Sequence, residues 1–382
     1  MRTLLLTGLG GAGTSTLAAA TAVRAARAGS RTLLLTRAAP APTDVPDLTV
    51  ALVEPLAGLE SLWAAVAGEL SAAAPGLGLP PASSVVPLPG SFEPALLARL
   101  GRAAAGDEAD TVVVDAGPLA SGTALVGLPA ALRWWLDQAL PTRLRMLGAV
   151  RTAAVRAGTA KRGPVDVALA AVPGLEQLIA AVDLGDPATT EVRLVAAPRP
   201  DAVPALRAAV TALALHGQRP TAVLTRVLPA GEGEWWTRRR AEQDAVLAAL
   251  AELAPVRRVE ETATAPADAD ELAALLPGED GPVPAAPLSR VTERADGGRR
   301  LVLPLPFARH EGLDLTRWGD DLVVTVAGAR RSIRLDALLR RCVVTAGHLA
   351  DAGTAGARLE VTFTPDPQQW PADLLAAEGS RT

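Results

Sequence analysis

The sequence predicts an α/β chain: a doubly wound parallel sheet with inserted helices, followed by a small C-terminal all-β sandwich. Three observations carry this. An apolar run, Leu4-Leu5-Leu6, feeds a glycine-rich turn, Gly8-Leu9-Gly10-Gly11-Ala12-Gly13-Thr14-Ser15-Thr16, which feeds an alanine-rich helix reaching Arg27. Apolar strand runs and helical runs then alternate through most of the chain, the pattern of parallel strands joined by crossover helices. Past residue 298 the runs become short and are separated by Gly/Asp turns such as Gly319-Asp320-Asp321 and Ala327-Gly328, which are hairpin signals. The expected division is a first domain over 1–277, a Pro/Gly/Ala-rich linker over 278–298, a sandwich over 299–366 and a tail over 367–382.

Each element follows from its residues. Thr32-Leu33-Leu34-Leu35-Thr36 is a second buried strand. Leu59 to Ala73 carries Leu59, Leu62, Trp63, Val66 and Leu70 at helical spacing, and Pro94 to Ala105 is a further helix. Thr111-Val112-Val113-Val114-Asp115 is a β-branched strand ending in a carboxylate. Alanine-rich helices are expected over Leu128–Leu140, Thr142–Ala157 and Val165–Val182, the last interrupted at Pro173, with Trp134-Trp135 as packing anchors. Strands over Glu191–Pro198 and Pro220–Val227 alternate with helices over Pro204–His216 and Trp235–Leu250. In the last third, strand runs lie at Arg300–Pro304, Leu313–Thr316, Leu322–Val326, Arg331–Leu335 and Leu359–Phe363.

Composition narrows the function. A net charge of −4 and a pI near 5.6 give no electrostatic case for nucleic acid or an anionic membrane. The basic residues are arginines except for Lys161. Cys342 is alone, and His216, His310 and His348 are scattered, so neither a disulfide nor a Cys/His metal cluster is expected. The longest uncharged run, Leu70 to Phe92, is broken by five prolines and is not a membrane span. With too short an apolar core at its start for a signal peptide, the chain is expected to be cytoplasmic.

The glycine turn is the clearest candidate site. Strand, glycine-rich turn and helix start form the context in which backbone N–H groups and a helix N-terminus cradle a phosphate. Gly8, Gly10, Gly11, Ala12, Gly13, Thr14, Ser15 and Thr16 are the candidate nucleotide-binding residues, and Ser15 falls where a hydroxyl ligates Mg²⁺. Asp115 reads as the carboxylate at the strand edge beside that loop, the second candidate for Mg²⁺. Where a phosphate-binding loop carries Lys, this chain carries Thr14.

With these pieces in order, the chain resembles the ArsA/guided-entry family of anion-transporting ATPase-like P-loop proteins. The family's GKGGVGKTT is here GLGGAGTST. Its switch II segment, similar to DTAPTGxTLRLLxLPxxLRWYL, is here Asp115-Ala116-Gly117-Pro118-Leu119-Ala120-Ser121-Gly122-Thr123, with Leu128-Pro129-Ala130-Ala131-Leu132-Arg133-Trp134-Trp135-Leu136 beyond it. Its later strand that ends in TPE is similar to Val192-Arg193-Leu194-Val195-Ala196-Ala197-Pro198, and its NRVLP resembles Thr225-Arg226-Val227-Leu228-Pro229. Leu303-Pro304-Leu305-Pro306-Phe307 and Gly319 to Val326 resemble the small-heat-shock-like domain that bacterial members append.

The resemblance implies ATP with Mg²⁺ as cofactor, a dimer, Thr225 and Arg226 on the adenine side, and Asp44 as the switch I carboxylate that orients water. It also exposes losses. The signature lysine that reaches the partner's nucleotide is Leu9, the phosphate lysine is Thr14, the first switch I carboxylate is Arg37, and the adenine Asn is Thr225. Removing one charge-stabilising donor costs about 10²–10³ in rate, so weak or absent ATP binding and no efficient turnover are expected. The leading expectation is a pseudo-ATPase or regulatory subunit, as a homodimer or paired with an active relative. A second reading replaces the lost charge with an arginine, Arg2, Arg24 or Arg37. A third makes the chain a binder of hydrophobic clients, through the Leu128–Val182 region or the sandwich. Arsenite chemistry wants thiolates and finds only Cys342, which reads as a buried side chain.

Overall fold

A computed structural model describes residues 1–38, 44–73, 76, 78–140, 148, 150–153, 155, 157, 164–276, 290–293 and 298–366. Seven parallel strands build the first unit: β1 (Arg2–Gly8), β2 (Thr32–Thr36), β3 (Leu48–Leu52), β4 (Thr111–Pro118), β5 (Thr190–Ala196), β6 (Pro220–Val227) and β7 (Val256–Glu260). Their order in the sheet is β3-β2-β4-β1-β5-β6-β7. The crossovers run through α1 (Thr14–Arg27), α2 (Pro55–Ala73), α3 (Phe92–Ala105), α4 (Leu119–Ala139), α5 (Pro164–Ala181), α6 (Ala202–Leu215) and α7 (Glu234–Ala251), and α8 (Ala269–Ala274) follows β7.

The apolar runs of the central strands follow from burial on both faces, as parallel sheets require. Leu5, Leu33, Leu35, Val112 and Val114 face the core under α3, α4, α6 and α7, built with Leu96, Leu125, Leu206 and Val246. Leu4, Leu6, Leu34 and Val113 face the opposite core, covered by Leu17 to Val23 of α1 and Leu272 of α8.

The doubly wound sheet expected from the alternation is present, with differences that have physical causes. The edge strands β3 and β7 escape the sequence reading because Leu-Thr-Val-Ala-Leu and Val-Arg-Arg-Val-Glu keep half-exposed or charged faces. Helix α4 starts at Leu119, nine residues before the expected start, and runs through Gly122, Gly127 and Pro129. Those glycines are needed for close approach. A Cβ on Gly122 would lie 2.3 Å from Thr7 Oγ1, and one on Gly127 2.7 Å from the His216 ring. Helix α5 likewise continues through Pro173. Trp135 is 63 % exposed and is therefore no core anchor. Most of the expected helix at 142–157 lies outside the described residues.

The C-terminal strands are β8 (Arg290–Glu293), β9 (Arg299–Pro304), β10 (Asp314–Trp318), β11 (Asp321–Val326), β12 (Ala329–Arg334), β13 (Cys342–Ala350) and β14 (Arg358–Pro365). They form a β10-β11-β12 sheet and a β13-β14-β9-β8 sheet, antiparallel throughout. Alternate residues fill the space between: Leu301, Leu303, Leu322, Val324, Val361 and Phe363. Strand β8 pairs with β9 inside the stretch read as a linker. Cys342 is free and buried.

The two units touch closely. Leu215, the last residue of α6, belongs to the sandwich core. Thr211 Oγ1 donates to Pro306 O at 2.5 Å, and Arg331 Nη1 donates to Leu215 O at 2.7 Å.

Candidate nucleotide-loop site

Register brings the candidate residues to one edge. Gly8, at the end of β1, sits level with Pro118 on β4 and Val195 on β5. The glycine loop, the turn after Asp115 and the Ala197-Pro198 segment therefore share the carboxyl edge of the sheet, where doubly wound folds bind ligands. Gly8 is required by packing: a Cβ there would lie 2.4 Å from Val195 O and 2.7 Å from Val195 Cβ. Gly11 (φ +77°) and Gly13 (φ +90°) take the left-handed conformation that turns the chain into α1. Gly10 and Gly11 are exposed, and a Cβ at either would meet nothing within 4 Å. The loop thus pairs left-handed glycines with a helix start, the backbone features that phosphate-binding turns use.

The side chains are arranged differently from a lysine-bearing loop. Thr14 is buried, with Oγ1 close against Gly8 rather than reaching outward. Ser15 is exposed beside it. Asp115 is 1 % exposed; Oδ2 accepts the Thr36 hydroxyl at 2.9 Å and Oδ1 accepts Gly117 N–H at 3.2 Å. Both oxygens anchor the strand ends yet keep lone pairs for a further donor or a metal-bound water.

Two candidates do not join the loop: Asp44 by its position, and Thr225, level with Ala196 at this same edge, by its burial. Asp44 is exposed and precedes β3 by four residues. The turn bond Leu48 N–H to Val45 O, and the pairing of Leu48 with Thr32 at the start of β2, hold that segment toward the opposite edge of the sheet. Thr225, matched to the adenine side, is fully buried within β6, and its Oγ1 has no hydrogen-bond partner among the described residues. Alternation along a strand puts its neighbour on the other face, and Arg226 is the residue that reaches the loop. Its Cδ lies 3.2 Å and its Nη1 3.7 Å from where a Gly13 Cβ would be, while Nη2 pairs with Glu261 at 3.0 Å.

Arg226 opens onto a cavity of about 160 Å³ that also includes Gly11, Ala12, Arg199, Trp235 and Arg239. Trp235, Arg239 and Gln243 recur every four residues on one face of α7. Arg239 donates to Pro198 O at 2.9 Å, and Gln243 Oε1 accepts Leu228 N–H at 3.0 Å. The sequence reading missed Arg199 and Arg239. The helical spacing from Trp235 could have paired Arg239 with it, but nothing local ties either residue to the loop.

Of the three arginines weighed as replacements for the lost charge, Arg37 alone is at this edge. It stacks 3.5 Å over the Phe92 ring and donates to Ser121 Oγ at 3.2 Å. Arg2 pairs with Glu191 at the start of β1, and Arg24 donates to Leu276 O.

Residues 1–262 match the model of the anion-transporting ATPase family, and residues 296–363 match that of an HSP20-like domain found in ArsA. The chain belongs to the anion-transporting ATPase family. It is 38 % identical to "Uncharacterized protein SCO2128" of Streptomyces coelicolor, over 97 % of this chain and 99 % of that one. It is 32 % identical to "Protein Rv2184c" of Mycobacterium tuberculosis, over 97 % of each. No described helix is long and apolar enough to cross a membrane, and the described residues hold no group of three or more His, Cys, Asp or Glu side chains fit for a metal ion.

Proposed function

We propose that this chain is a degenerate member of its family: a regulatory subunit that keeps the nucleotide-loop scaffold without turning ATP over at an ordinary rate, and that pairs with a lysine-bearing relative. One observation carries this. The position that should project a lysine onto the phosphates is Thr14, buried and turned back against Gly8, while the glycine geometry around it is kept. Phosphoryl transfer depends on positioning and on neutralising charge spread over the phosphate oxygens. Backbone N–H groups and a helix terminus can hold the anion, but they do not bring the full positive charge that a lysine would place on the transferring phosphate. The residues fit the phosphate end of ATP in part: the Gly10–Ser15 backbone would hold phosphate, with Ser15 and Asp115 on the Mg²⁺ side. The test is the hydrolysis rate of the purified chain with Mg-ATP, alone and with a co-purified relative. Turnover at an ordinary ATPase rate by the chain alone, lost on Asp115→Ala, would overturn the proposal.

A second reading is favoured by Arg226. Its guanidinium lies against Gly13, so nucleotide binding without turnover is retained, with Arg226 as the cation. Arg can neutralise phosphate but in its own planar geometry. Calorimetric titration with Mg-ATP separates the two: saturable binding weakened by Arg226→Gln supports this reading, and no binding removes it.

A further inference from the structure

A second cavity, of about 230 Å³, lies where the sandwich meets the parallel-sheet unit. One wall is apolar, with Val126 and Pro129 from α4 and Leu303 and Ile333 from the sandwich; the rest is polar, with Arg133, Arg331, His216, Asp183 and Asp186. At ~30 Å³ per water it has room for roughly seven waters. No role assigned above touches it.

Charge around it is mixed, two arginines against two aspartates, and the hydrogen bonding of the two signs differs. Asp183 accepts Gly185 N–H at 3.0 Å and Asp186 accepts Ala188 N–H at 2.9 Å, so each aspartate is tied to its own turn. Each arginine, by contrast, donates to a single backbone carbonyl: Arg331 to Leu215 O at 2.7 Å and Arg133 to Ile179 O at 2.9 Å. Neither forms an ion pair within 4.0 Å among the described residues. A guanidinium carries five N–H donors, so most of theirs are unspent. His216, 8 % exposed on the same wall, has a buried Nδ1 with no hydrogen-bond partner among the described residues. A partly buried Arg331 and the orphan His216 Nδ1 cost free energy that a matching occupant recovers, while Arg133 at the exposed side keeps donors free for it.

We propose that this cavity binds a small organic carboxylate: its anionic head between Arg133 and Arg331, its short apolar body against Val126, Pro129, Leu303 and Ile333. Burial depresses the Arg331 guanidinium, with Asp183 partly offsetting this, as expected of a cation awaiting a counter-ion. The occupant would contact both α4 and β12 and so brace the two units against each other.

The test uses the full chain and no nucleotide, so its outcome is independent of the proposed function. Hexanoate, hexanol and inorganic phosphate are titrated separately by calorimetry, with thermal unfolding in parallel. Saturable hexanoate binding that raises the Tm is expected, with both controls at least about tenfold weaker, since each lacks one half of the recognition. Arg133→Gln, on the exposed side, should fold normally and weaken hexanoate about tenfold; Arg331→Gln should do the same where it folds. Absence of saturable hexanoate binding, phosphate binding tighter than hexanoate, or hexanoate affinity unchanged in a folded Arg133→Gln protein would each overturn the proposal.

Discussion

Two arginine-lined cavities, one beside the glycine loop and one between the units, differ in how their charge is answered. Beside the glycine loop, Arg226 pairs with Glu261 at 3.0 Å and Arg239 approaches Glu242 at 3.6 Å. At the domain interface, Arg331 and Arg133 meet only backbone carbonyls. A paired guanidinium offers an incoming anion less, because binding must first compete with the carboxylate; an unpaired one is already poised. At the loop Arg199 alone of the three arginines has no ion pair within 4.0 Å among the described residues, whereas at the interface neither arginine has one, although Asp183 and Asp186 line the same cavity.

Glycines beside each cavity report how rigid its walls are. Gly8→Ala drives a Cβ into the Val195 carbonyl, a backbone atom that cannot turn aside. Chemical denaturation should show a loss of about 3 kcal/mol, the upper range for overpacking. Gly127→Ala meets only the His216 ring at 2.7 Å; a ring can shift, so about 1–2 kcal/mol is expected by the same measurement. A ratio near one between the two losses would mean that the interface is as rigid as the loop.

Acid should also separate the regions. Burial, helped by Arg331, holds the His216 pKa down at about 4 from a usual 6.5. Between those values the unfolded chain binds the proton and the folded chain does not, so stability falls as pH drops from about 6.5 toward 4. From pH 7 to pH 5 the loss should be about 2 kcal/mol, and His216→Phe should remove that slope in denaturation curves. An unchanged slope would place the acid sensitivity in other groups. The smallest stability effect is expected of Glu261→Gln. Its exposed pair with Arg226 is worth under about 1 kcal/mol, but releasing Arg226 should raise inorganic phosphate affinity several-fold in a binding titration. No gain would show that pairing is not what distinguishes the two cavities.

What could be read beforehand depended on how many faces an element buries. Strands β1, β2 and β4 sit in the sheet interior, and their uninterrupted Leu and Val runs announce them. β13 was missed although it is among the longest strands, because Cys342–Ala350 mixes Thr, Gly and His, and its pairing slips between Val344 and Ala346. The start of α4 was missed because its glycines suggest a turn until Thr7 and His216 supply the reason for them. The loop itself was legible since nine consecutive residues, Gly8 to Thr16, carry it. Arg226 was legible too, as an adenine-side residue, but Arg199 and Arg239 were not, because they come from separate segments that meet the loop only in the folded sheet.

The bond from Arg331 to Leu215 O has a further meaning. Leu215 ends α6, where carbonyls lack helical partners and the dipole is negative. A cation supplied by the second unit therefore finishes a helix of the first, and the Leu215 side chain completes the other unit's interior. Neither unit could be exchanged as an independent cassette: a chain cut near residue 298 would leave an unfinished helix and an apolar scar. Heat should melt the two together, in one transition rather than two.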